Sequence, residues 1–309
     1  MEVRSRSNLK KAKSYLEQAI ALDSGFALAY SGLADVNLLQ CNRGHIDSKP
    51  ILEETKKYID KALELDPLSA EIQASSGCWY SQVFNFREAE ARLKKSIQMN
   101  PNQDNVYNWL ALLLEQTGRP LEALETYKKG IGVNPSFSLL RRNMWNLLFT
   151  IDSPEALRLV TSLIDSSIVD SDEKQFYLVT LSKYYWVLGR KKDAVVVAEQ
   201  AGIRELVKLY EQGNNDELIS EVSRKYSEIR DGGEYVSPFH IGVDYASVGA
   251  RKEALENFEK AIEIRDPGLP TLLSPGFYSF TLIPQSDPAI IKIQEQVREM
   301  ITYDWPKRK

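Results

Sequence analysis

Residues 118–135 read Gly-Arg-Pro-Leu-Glu-Ala-Leu-Glu-Thr-Tyr-Lys-Lys-Gly-Ile-Gly-Val-Asn-Pro, and residues 249–267 read Gly-Ala-Arg-Lys-Glu-Ala-Leu-Glu-Asn-Phe-Glu-Lys-Ala-Ile-Glu-Ile-Arg-Asp-Pro. One chain writes nearly the same helix twice, and weaker copies are headed by Ala12, Thr55, Ala89 and Ala194. Four residues after each head stands Leu16, Ile59, Leu93, Tyr127 or Phe258, with Ala198 as the exception. Three further on, every copy has a small side chain: Ala19, Ala62, Ser96, Gly130, Ala201, Ala261. Positions i, i+4 and i+7 share one helical face, so a neighbouring helix can approach closely at the small residue.

The register is regular. Thr55, Ala89 and Ala123 are 34 residues apart, as are Pro67, Pro101 and Pro135, each preceded by Asp or Asn. A helix ends at that pair and a turn opens. Upstream of each head runs a second apolar helical pattern, clearest over residues 105–117, with Gly118 or Gly249 breaking the chain between the two helices.

The 34-residue period, the two-helix unit and the Ala-x3-Tyr/Phe-x2-small pattern resemble the tetratricopeptide repeat. In the best copy Tyr107, Leu110, Ala111, Leu114, Gly118, Ala123, Tyr127, Gly130 and Pro135 fall on that family's signature positions. The resemblance implies an all-α, right-handed solenoid of helix-turn-helix repeats. The expected layout is an array over residues 1–267, degenerate near 203–230 and carrying an insertion near 41–54, followed by a C-terminal extension over 268–309. Within that extension Ile290–Ile301 is read as a capping helix, with Asp287 as its N-cap and Pro288 in its first turn.

A narrower resemblance rests on the long second repeat, the last repeat beginning near Tyr235, and the closing Ser274-Pro275-Gly276-Phe277 and Ser286-Asp287-Pro288. These are similar to the C-terminal repeat region of bacterial signalling proteins that begin with a nucleotide cyclase, a winged-helix domain or a kinase. The Ser-Asp-Pro element is kept, whereas Ser274–Phe277 replaces the group's Asp-Pro-Arg-Phe. The array opens on a second helix with no first helix before it, which predicts either a piece of a longer signalling protein or a member without its effector.

Composition agrees with a folded cytoplasmic module. The 309 residues are 43% hydrophobic and 27% charged, with net charge −4. Basic residues are dispersed, which gives no nucleic-acid footprint. Cys41 and Cys78 are too few for a disulfide framework, and no apolar run approaches the ~20 residues of a membrane span. His45 and His240 lie in different repeats without metal-ligand spacing. No histidine or basic residue adjoins Cys78 to activate it. Residues 230–235 form a Gly-containing turn without the lysine of a phosphate loop. The expectation is a protein with no enzymatic site, metal or cofactor.

Binding is what the resemblance implies. In this family the first helix of each pair lines a concave groove, which assigns Asn105, Asn108, Arg142, Asn143, Asn146, Phe149, Lys183 and Trp186 as candidates for gripping a protein or peptide partner. Arg offers a bidentate fork and Asn both donor and acceptor. A solvated polar face accounts equally for Arg141, Arg142, Asn143 and Asn146, and packing against residues beyond Ala201 accounts equally for Trp186 and Phe149. Trp145 stands where a small residue is expected. Alternatives to the scaffold reading are a homodimerisation module, pairing through the N-terminal half-repeat or the inserted loop, and a regulatory domain binding a small molecule through His45 or Trp186.

Overall fold

The computed structural model describes residues 6–151, 153–164, 169–212, 215–279 and 281–303. They form an all-α solenoid, and no strand occurs among them. Helix α1 (Arg6–Leu22) is followed by the pairs α2 (Ala27–Asn42) and α3 (Ser48–Leu65), α4 (Ala70–Gln82) and α5 (Phe86–Met99), and α6 (Asp104–Gln116) and α7 (Pro120–Val133). Next come α8 (Ser138–Ile151) and α9 (Ser153–Ile164), then α10 (Ser171–Val187) and α11 (Lys191–Gln200). The array continues through α12 (Arg204–Gln212) and α13 (Asp216–Asp231) to α14 (Pro238–Ser247) and α15 (Arg251–Ile264). Two 3-10 turns, η1 (Leu269–Leu273) and η2 (Pro275–Ser279), lead to α16 (Pro288–Met300).

The repeat period reappears as bonds. Asp66, Asn100 and Asn134 each return their backbone N–H to the small residue four earlier, at 2.9, 2.9 and 3.0 Å. Their side chains accept from Leu68, Asn102 and Ser136 N–H, which closes an Asx turn around each proline. The carbonyls of Pro67, Pro101 and Pro135 accept from Gln73, Tyr107 and Arg141 respectively, three side chains in one register. Between the helices of a pair, Gly118, Gly189 and Gly249 all take φ +74°. In the α4–α5 turn that place belongs to Phe84, held at φ +64° with its ring 2% exposed. An aromatic residue there is strained, and core burial of its ring compensates.

The inserted stretch is mostly helix. Compared with α4 and α5, of 13 and 14 residues, α2 and α3 have 16 and 18. Asp47 caps α3 by accepting from Lys49 N–H at 3.1 Å, and only residues 43–47 remain as loop. Trp145 is buried, its ring edge-on to Tyr177 at 5.9 Å, in a separate core with Leu148, Phe149 and Leu181. Helix α16 begins at Pro288 with Asp287 accepting from Ala289 N–H at 2.9 Å.

The array does not stay open. Arg6 donates to the Tyr235 carbonyl at 2.7 Å and pairs with Glu234 at 2.9 Å. Ser237 N–H bonds the Gly44 carbonyl at 3.1 Å. One continuous core joins Phe84, Phe86 and Leu113 of the early repeats to Phe239 and Phe258 of the last repeat. Leu272, Phe277, Ile290 and Val297 from beyond the repeats complete it. The C-terminal end is clamped from outside: Arg119 donates to Glu90 at 2.7 Å and to the Tyr303 hydroxyl at 2.8 Å, while Tyr303 donates to Glu90 at 3.0 Å.

Candidate functional site

The first helices of successive pairs, α6, α8 and α10, present their inner faces to the chain's own C-terminal segment. The centre of contact is Glu115, in the last turn of α6 and 1% exposed. Its Oε1 accepts from the Tyr127 hydroxyl at 2.7 Å, and its Oε2 accepts from the Ser274 hydroxyl. The Gly276 backbone also bonds this carboxyl group. Burial pushes the Glu115 carboxyl up to about 7, against the opposing pull of these bonds. Gly276 is where the segment comes closest. A Cβ there would stand 2.9 Å from Glu115 Oε2 and 3.1 Å from Leu147 N, so only glycine seats without displacement. The Tyr278 hydroxyl and Gln294 both bond the Leu272 carbonyl, at 2.9 and 2.7 Å, which fixes the turn between η1 and η2.

The concave candidates fall into two sets around this seat. Asn108 is buried and accepts from Asn143 Nδ2 at 2.8 Å, which joins α6 to α8. Asn146 is buried beside Gly276, its Oδ1 without a protein partner. Phe149 is interior, with its ring 4.6 Å from Tyr184. Asn108, Asn146 and Phe149 are therefore covered, and the groove expected to lie open is filled here by residues 274–277. The remaining candidates are half-buried. Asn105 N–H bonds Asp104 Oδ1 at 2.6 Å. Arg142 lies over the Phe176 ring at 4.6 Å. Burial pushes Lys183 down to about 8, opposed by Asp244. Trp186 stacks on Tyr210 of α12 at 4.8 Å with Lys191 5.0 Å from its ring, so packing beyond Ala201 does hold this side chain.

Arg141 is no solvated residue. It forks onto Glu173, at 3.1 and 2.7 Å, and Tyr177 bonds the same carboxylate at 2.7 Å. This buried triad ties α8 to α10. The thiols are held protonated: Cys41 is pushed up to about 12 by burial, with Asp266 and Asp47 adding to it, and Cys78 is raised by burial with Asp35 adding. His240 sits in the seam between first and last repeats. Its Nε2 donates to the Asn42 carbonyl at 2.9 Å and its Nδ1 accepts from Ser237 at 2.9 Å, and burial holds its pKa below the usual value. A surface cleft of about 540 Å³ lies between α3 and the end of α15, floored by Leu52, Trp79 and Phe84.

Among known proteins, residues 93–125 match the family model described as tetratricopeptide repeat. The chain is 24% identical over 192 residues to the peroxisomal targeting signal receptor of Saccharomyces cerevisiae, covering 62% of this chain and 29% of the receptor. It is 31% identical over 84 residues to the small glutamine-rich tetratricopeptide repeat-containing protein 2 of Mycosarcoma maydis, covering 27% of this chain and 24% of that protein. It thus spans less than a third of the length of these curated relatives. Similar solved structures include YrrB, a TPR protein with an unusual peptide-binding site (18% identity, 83% of this chain and 95% of that one, TM-score 0.34). Another is the human IFIT1 dimer with PPP-AAAA (16% identity, 84% and 69%, TM-score 0.45). The fold is a tetratricopeptide-type helical solenoid, and no helix among the described residues is long and apolar enough to cross a membrane.

Proposed function

We propose that this chain is a non-catalytic scaffold that holds a segment of another protein along its concave face. Tetratricopeptide proteins generally mediate protein–protein interaction, and stacked helix pairs create the extended concave surfaces they use. The observation that carries the reading is local. The inner face of α6 and α8 already grips an irregular stretch of polypeptide, by a carboxyl group accepting a hydroxyl and by contact too close for any side chain but glycine. On α8 and α10, half-buried Arg142, Asn143, Lys183 and Trp186 offer two basic side chains, an amide and an aromatic ring to a partner. The protonated thiols suit structure rather than nucleophilic chemistry. On this reading the scaffold works in the regulatory arm of a bacterial signalling system in the cytoplasm, a reading supported by the likeness of its last repeat and tail to that group.

The test is site-directed photo-crosslinking in cells that make the chain. A photoreactive residue at Asn143 should yield a discrete cross-linked protein that Arg142→Glu with Lys183→Glu removes, while one at Tyr15 should not. No cross-link from Asn143, or one unaffected by the charge reversals, ends the concave reading.

One observation favours self-association as a second reading. Tyr15, Leu22 and Leu28 are 69%, 90% and 46% exposed at the N-terminal end of the array. Light scattering at micromolar concentration should then show a dimer that Leu22→Glu with Tyr15→Lys dissociates. A monomer throughout removes that reading.

A further inference from the structure

The polar seat on α6 and α8 is built, and its occupant belongs to the same chain. Glu115 lies at the centre, 1% exposed, where Tyr127 from below and Ser274 and Gly276 from above converge. Asn146 Oδ1, buried and unpartnered, lies on the same wall, and the Asn146–Leu147 backbone is the surface Gly276 touches. Phe277 follows directly and enters the apolar core beside Phe239, ring centres 6.4 Å apart. Each feature reads one property of the bound segment: a hydroxyl, a glycine without Cβ, then an aromatic ring.

We propose that this seat is a recognition site for a Ser-Pro-Gly-aromatic segment and that Ser274–Phe277 occupies it as an internal ligand. An outside protein bound there must carry the same chemistry: a hydroxyl residue, a turn-forming proline, glycine and an aromatic side chain. The proposal rests on the scaffold reading above and supplies its partner class. Competition is governed by tethering. A segment attached to its own site acts at an effective concentration on the order of millimolar, so a free peptide binds the intact chain poorly and binds well where the internal copy cannot seat. A partner exchanges with the tail when it offers these groups with higher affinity or valency.

The experiment uses the full chain and a fluorescent synthetic peptide of residues 269–279, measured by polarisation. The Gly276→Val chain places a branched side chain 2.9 Å from Glu115 Oε2 and cannot seat its own turn. It should bind the peptide at least tenfold more tightly than the unmodified chain does. A peptide with valine in place of its glycine should not bind, and adding Glu115→Arg to the chain should abolish binding. Circular dichroism establishes that the variants are folded. Ser274→Ala, which removes one donor and adds no bulk, is the second receptor and should bind several-fold more tightly than the unmodified chain. The proposal is overturned if neither folded variant binds the peptide more tightly than the unmodified chain, or if the valine peptide binds equally well. Failure here with a surviving cross-link at Asn143 leaves the scaffold reading and removes this seat. Peptide binding without any cross-linked partner supports the seat and removes the scaffold reading.

Discussion

The Tyr127 hydroxyl stands 2.7 Å from Oε1 of Glu115, below the point where the C-terminal turn enters the groove. Tyr127 is the family-pattern aromatic of the second helix, so a repeat-defining residue also orients the carboxyl group that holds the tail. Three donors converge on one buried group.

Replacing Glu115 by Gln should be destabilising, because its amide puts N–H groups where donors already point. The cost is about 1–3 kcal/mol for the unsatisfied group. It should also change the pH dependence. The carboxyl is raised from 4.5 to about 7 in the folded chain, so folding favours its protonated form. Its contribution is most favourable below pH 4.5, declines as pH rises through 7, and is constant beyond. Urea unfolding across that window should show a slope in the parent that Glu115→Gln lacks. An identical slope in both would mean Glu115 is ionised and solvated when folded.

His240 acts in the opposite direction. Its folded pKa lies below 6.5 because burial disfavours the cation, with Asp266 and Asp244 opposing and Arg43 assisting. Its share of stability is complete above pH 6.5 and is lost as pH falls toward the folded value. Hydrogen exchange of the Ser237 amide, bonded across the seam to Gly44, should therefore quicken between pH 7.5 and 5.5 after correction for intrinsic rates. His240→Gln should flatten that response. No change in the parent would show that the seam does not depend on a neutral imidazole.

Two glycines of α7 give a matched pair. Helix propensity alone makes Gly→Ala favourable by about 1 kcal/mol. At Gly130 a new Cβ would lie 2.7 Å from Tyr107 Cβ and 3.0 Å from Leu140 Cδ1, and overpacking there costs about 1–3 kcal/mol. At Gly132 a Cβ meets nothing within 4 Å. Gly130→Ala should therefore lower the melting temperature and Gly132→Ala should raise it. The reverse order would refute close packing at the small-residue column.

The repeat was legible because its signal is local. Small residues at fixed spacing, Asp or Asn before proline, and a glycine between helices each act within one or two turns. The tail's position was not legible, since Glu115 and Ser274 lie 159 residues apart and no periodicity relates them. The resemblance assigns Asn108, Asn146 and Phe149 to the inner faces of first helices, and a face does not reveal what covers it. Residues 41–54 read as an inserted loop because they are surplus to the 34-residue repeat. Asp47 three positions before Pro50 was the available sign of a helix start. Arg141 looked like surface charge because its partner, Glu173, belongs to another repeat.

Phe84 tests how a local rule gives way to a distant contact. Phe84→Gly should relieve about 1–3 kcal/mol of backbone strain but forfeit about 3–5 kcal/mol of ring burial. The expected net loss is roughly 2 kcal/mol, read by urea unfolding. A gain in stability would mean that the ring contributes little to the core it shares with the last repeat.

Synthesis runs from the amino terminus, and the groove is filled by residues made well after the helices that form it. While the ribosome still holds residues beyond Pro267, Glu115 lacks Ser274 and Gly276, and Leu113 and Phe86 lack the side chains that cover them. A nascent or prematurely terminated chain therefore displays the sticky inner wall of its first repeats to chaperones and proteases. Stopping synthesis after Pro267 should therefore lower the yield of soluble protein.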